Sequence, residues 1–67
     1  MTHEEKLQWG RDEHAARVRD LQGMNIARNL PIAQANAEAR RRAVNLSRNE
    51  ASYYVKRAHD EHRRAKP

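Results

Sequence analysis

Eleven arginines and three lysines are the side chains of this 67-residue chain whose number and spacing could do chemistry together. A guanidinium grips a phosphate or carboxylate through two parallel hydrogen bonds, whereas an ammonium acts as a point charge. Turned by 100° per residue, the α-helical angle, the second half of the chain puts Arg41, Arg42, Asn45, Arg48, Lys56 and Arg63 on one side. Arg41, Arg48, Lys56 and Arg63 recur there over about 22 residues, or roughly 33 Å of helix. Gln34, Glu38, Asn49, Ser52 and His59 lie among them, so the side reads as a basic ridge with amides and a hydroxyl between the charges.

Charge is concentrated on the same half. Met1 to Pro31 carries five bases and five acids, and Ile32 to Pro67 carries nine bases and four acids, which is the whole formal net charge of +5. A basic stripe on one helix face suits a nucleic-acid backbone, where each neutralised phosphate releases counterions. The expected partner is therefore RNA or DNA bound without regard to sequence, or else an acidic protein surface. The bland counterpart is a solvated face laced by i,i+4 pairs such as Glu38 with Arg42 and Asp60 with Arg64.

Other chemistries find less support. There is no cysteine, which excludes a disulfide framework and any thiolate zinc site. His59 and His62 share a helix face, but the sequence offers no second pair to complete a ligand shell, so neither a metal nor another cofactor is expected. No Ser, Cys or carboxylate constellation is spaced to work with His14, so no catalytic residue is assigned and the chain reads as a non-enzyme.

The apolar residues set the architecture that would carry the ridge. Thr2 and Glu5 are spaced as a capping box, which starts a short helix over about 3–22. Gly23 suits its end, Asn29 suits the next cap and Pro31 a first helical turn, although a helical turn from Asn25 also fits. A long helix over about 30–64 comes next. The fold class predicted is all-α, a helical hairpin forming one domain over 1–67. An antiparallel seam would set Leu21 by Ile32, Val18 by Ala35, His14 by Ala39 and Leu7 toward Leu46. Gly10 either permits close approach of the helices or is merely tolerated.

In that arrangement the long helix outruns the short one, leaving Tyr53, Tyr54, Val55 and Ala58 without a neighbour, together with Val44 and Ala51 on the same wide arc. A chain this small supports only a marginal core, so completion by homo-oligomerisation or by a partner is expected. Trp9 lies almost opposite Leu7 among acidic residues, outside the seam. Trp9, Tyr53, Tyr54 and Val55 are thus the candidate partner-binding residues of an alternative function: a protein-interaction module, such as an accessory factor or inhibitor of the kind phages and mobile elements encode. The sequence has no apolar run of the ~20 residues a membrane span needs and no apolar segment after the N-terminus, and the expected location is the cytoplasm.

Overall fold

Thr2 opens the first helix as its residue pattern requires. The Glu5 N–H donates to Thr2 Oγ1 at 3.2 Å and the Thr2 N–H donates to Glu5 Oε1 at 2.9 Å, each side chain satisfying the other's unpaired amide. The computed structural model describes residues 1–22 and 26–65, and every regular element among them is helical: α1 (His3–Leu21), α2 (Ile26–Ala43) and α3 (Arg48–Ala65). α1 ends at Gln22, whose N–H returns to the Arg19 carbonyl. The roles expected of Gly23 and Asn25 lie outside the described residues. α2 begins at Ile26, ahead of Asn29, so Pro31 sits inside the helix rather than in its first turn.

The helix expected to run unbroken over about 30–64 is two helices, with the break at 44–47. Asn45 adopts a left-handed backbone with φ of 58°, a conformation Asn tolerates better than most residues. The Asn45 N–H donates to the Arg42 carbonyl at 3.2 Å and the Leu46 N–H to the Arg41 carbonyl at 3.3 Å. These are the two bonds of a Schellman ending, which satisfies carbonyls a helix terminus would leave unpaired. Two residues on, the Glu50 N–H donates to Ser47 Oγ at 3.1 Å and the Ser47 N–H to Glu50 Oε1 at 3.4 Å, a second capping box that starts α3. Stop and start signals thus sit side by side.

The break sends α3 back along α1. The pairs Glu13–Arg40 and Asp20–Arg40 tie α1 to the C-terminal half of α2, while Lys6–Glu50, Arg11–Glu61 and His3–Tyr54 tie it to α3. α1 therefore lies in the middle, packed on both neighbours, and α2 and α3 meet each other little. The result is a slab of 35 × 34 × 15 Å. Its radius of gyration, 12.3 Å, exceeds the about 11 Å of an equally long compact chain.

Its core is made mostly of small residues. Ala16, Ala33, Leu46, Ala51, Tyr54 and Ala58 are buried, along with Gly10 and Glu13. Gly10, Glu13 and Ala16 recur every three residues on α1, and Ala51, Tyr54 and Ala58 fall at i, i+3 and i+7 on α3, each a single helix ridge. Several expected neighbours are therefore corrected. Val18 and Ile32 are exposed by 52% and 60% and form no seam, and His14 faces α3 instead of Ala39. Ala51, Tyr54 and Ala58 are covered within the chain, so the overhanging apolar arc does not exist as expected. No described helix is long and apolar enough to cross a membrane.

Gly10 is settled as a close-approach residue, because a Cβ there would stand 2.8 Å from the Tyr54 carbonyl carbon and closer still to its oxygen. Both are backbone atoms, so relief requires separating the helices. Gly10→Ala should lower unfolding free energy by about 1–2 kcal/mol, the overpacking cost exceeding the up to ~1 kcal/mol that Ala gains over Gly in a helix. Urea unfolding measures this directly, and an unchanged or raised midpoint would show that the helices have room.

Candidate nucleic-acid interface

The cations divide into those held by the fold and those that face outward. On the inner side, Glu13 is buried and accepts from Arg40 at 2.6 and 2.9 Å and from Arg17 at 3.1 Å, while Arg40 also reaches Asp20 at 3.2 Å. This network is the polar part of the α1–α2 seam. The Arg40 guanidinium is pushed above its ordinary value, chiefly by its hydrogen bonds to Glu13. Lys6 binds Glu50 at 2.7 Å and Arg11 binds Glu61 at 3.0 and 3.4 Å, which joins α1 to α3. The Glu50 and Glu61 carboxyls are held below the usual carboxylate range by Lys6 and Arg11 respectively.

A second group of cations gathers where α2 ends and α3 begins, two of them facing outward. Arg41, Arg42 and Arg48 converge on one carboxylate, Glu38. Arg41 forms a close two-pronged pair with it and also donates to the Leu46 carbonyl at 2.8 Å, so its guanidinium braces the turn. Arg42 and Arg48 stand farther off, at 3.5 and 3.6 Å, with side chains 72% and 80% exposed. The Glu38 carboxyl is held below its ordinary range, first by the hydrogen bonds from Arg41. Three guanidinium groups against one carboxylate leave two positive charges in surplus at this corner.

The break at 44–47 alters the ridge expected from the sequence. Arg41 and Arg42 end α2, Asn45 occupies the turn, and Arg48, Lys56 and Arg63 belong to α3. They do not share one straight helix face. Asn45 is taken up by the left-handed turn, and Arg41 is largely enclosed by its partners. Along α3, Arg48, Ser52, Lys56 and Arg63 still fall within one arc of about 80° at 100° per residue, and all four are exposed. The nine residues from Arg48 to Lys56 bring the corner cluster and the α3 row into one basic strip.

The candidate partner-binding residues separate. Tyr54 is buried, with its hydroxyl 2.9 Å from His3 Nδ1, and is a core residue rather than a docking one. Val55 is half-buried. Trp9 is half-buried and lines a cavity of about 330 Å³ with Glu13, Ala16, Arg40 and Val44, so its face of α1 is the α2 seam that the wheel placed elsewhere. Tyr53 alone among the four is exposed, by 50%.

Sequence reasoning missed a histidine cluster that the fold creates. His14 Nε2 lies 3.3 Å from His59 Nδ1, and its ring centroid is 5.6 Å from that of His62. The i,i+3 pair on α3 was legible, but bringing His14 to it required knowing that α3 folds back. Among the described residues no group of three or more His, Cys, Asp or Glu side chains is arranged to hold a metal ion. No family model, curated protein or solved structure matches this chain. Its function has therefore to be read from its own geometry.

Burial pushes the His14 imidazole below its ordinary value of 6.5, and the neighbouring His59, His62 and Arg17 push in the same direction. The unfolded chain therefore takes up this proton at higher pH than the folded one. His14's contribution to stability should be complete above pH 6.5 and decline as the pH falls through the lower folded value. Urea midpoints at pH 7.5 and 5.5 should differ in that sense, and His14→Gln should reduce the difference. An identical pH dependence in the variant would remove His14 as the cause.

Proposed function

We propose that the protein is a small, non-enzymatic helical binding protein that contacts the phosphates of RNA or DNA, without base-specific readout, in the cytoplasm. The observation that supports this reading is the convergence of Arg41, Arg42 and Arg48 on the single carboxylate Glu38, continued along α3 by Lys56 and Arg63. Arg42, Arg48, Lys56 and Arg63 make the phosphate contacts, and Arg41 holds the turn that presents them. A phosphate arriving at this corner meets guanidinium groups already concentrated around too little negative charge, so binding relieves their mutual repulsion as well as releasing counterions. Docking through Trp9, Tyr54 and Val55 draws less support, since none of the three is exposed.

The test is the salt dependence of binding. Changing Arg42 and Arg48 together to Gln should weaken binding to every sequence. For duplex DNA it should flatten the slope of log affinity against log salt by almost two units, at ~0.9 per lost phosphate contact. Folding should survive, because exposed charge substitutions usually shift stability by no more than ~0.5 kcal/mol. Equal affinity and equal slope in the double variant would reduce the strip to a solvated face.

Self-association belongs to the same reading. The thin slab leaves Val18, Leu30 and Ile32 exposed by 52%, 41% and 60%, and its own core is mainly alanine. Leu30 and Ile32 point to opposite sides of α2, about 200° apart, and a second copy laid over Ile32 would supply apolar burial that one layer of helices lacks. Size-exclusion chromatography with light scattering should give a mass of twice 7.9 kDa, falling to the monomer value in Ile32→Glu. A parent protein of monomer mass would overturn the association.

A further inference from the structure

Tyr53 is an exposed aromatic ring set among cations, and its orientation is fixed from beneath. The buried Tyr54 meets it edge-to-face, with ring centroids 5.0 Å apart and planes at 90°, a favoured aromatic geometry. Tyr54 is in turn anchored by the 2.9 Å bond between its hydroxyl and His3 Nδ1. On the outer side, Arg57 donates to the Tyr53 hydroxyl at 3.1 Å and places its guanidinium carbon 5.8 Å from the ring centre. Tyr53, Lys56, Arg57 and Arg64 line one open cavity of about 430 Å³ with Asp60 and Glu61. Glu61 is already engaged by Arg11, so positive charge prevails at its rim.

We infer that Tyr53 is a stacking platform for an unpaired base, so that the nucleic acid taken by the basic strip is single-stranded. This rests on the phosphate-binding reading above and adds to it the strandedness of the ligand. A base inside a duplex has both faces covered by its neighbours and cannot lie on a tyrosine, whereas a single strand can turn each base outward while its phosphates follow the cations. Tyr53 supplies the flat apolar surface, Arg57 a planar cation that lies over the ring and gives way to the arriving base, and Lys56 with Arg64 the charges for the flanking phosphates. Base stacking on an aromatic ring accepts any base, which agrees with binding that ignores sequence.

The experiment measures fluorescence anisotropy of the 67-residue chain with a labelled oligothymidylate of about 20 nucleotides, and with a blunt duplex of about 20 base pairs, at several salt concentrations. The parent should bind the single strand more tightly than the duplex. Tyr53→Ala should weaken single-strand binding by about tenfold, within the range found for loss of one stacked base, and leave duplex binding unchanged. Tyr53→Phe, which keeps the ring and loses only the hydroxyl, should retain single-strand affinity. Circular dichroism of both variants should match the parent, since the substituted side chain is half exposed. Equal affinity of parent and Tyr53→Ala for the single strand, or a parent that prefers the duplex, would overturn the platform while leaving phosphate binding standing. Absence of salt-sensitive binding to either ligand would overturn both.

Discussion

Everything in this fold depends on one residue accepting a left-handed backbone. With Asn45 at φ 58°, α2 ends and α3 starts within four residues, and the direction of the chain reverses. Were the helix to continue, Ala51, Tyr54 and Ala58 would point along its extension and away from α1, and the α1–α3 ion pairs could not form. The turn is held by its own neighbours. Arg41 contributes its backbone carbonyl to the Leu46 N–H and its guanidinium to the Leu46 carbonyl, and Leu46 is itself buried. A residue that would otherwise be one more surface arginine is thereby committed to the architecture.

That commitment illustrates how the charges are sorted. A core of glycine, alanines, one leucine and one tyrosine buries little apolar area, and ion pairs take over part of the work of joining the helices. Lys6, Arg11, Arg17 and Arg40 are each matched to a carboxylate on a facing or neighbouring turn. The carboxylates used this way are no longer available to neutralise the outer face of α3. Structural pairing inside and surplus positive charge outside are two results of one distribution of acids. Buried Glu13 is the extreme case, tolerable only because Arg40 and Arg17 saturate its oxygens.

The helical class and α1 could be read from the sequence, because a capping box is a local signal. The division of the second half was hidden for a specific reason. The residues of 30–64 fit one helical wheel so well that the wheel overrode Asn45 and the Ser47–Glu50 capping box, which were present and had the right spacing. A single long helix sets His14 beside Ala39 and Tyr54 on an open surface, whereas the break brings His14 against α3 and Tyr54 against α1, and the wheel of α1 alone sets Trp9 outside the seam it lines. The cluster of Arg41, Arg42 and Arg48 could be assembled in part, because those residues are close in sequence as well as in space. The meeting of His14 with His59 and the support of Tyr53 by Tyr54 and His3 arise only from the return of α3 along α1.

The central position of α1 also governs how the molecule comes apart. Because α2 leans on α1 and scarcely on α3, it can detach while the α1–α3 pair, with Gly10 seated against Tyr54, stays joined. Opening of this kind follows contiguous cooperative units rather than the whole chain. The backbone amides of α2 would then exchange with solvent through a cheaper excursion than those of α1 and α3. The molecule is thus a two-helix keel with a separately hinged flank, and that flank carries two of the three arginines of the corner together with the Glu38 they share.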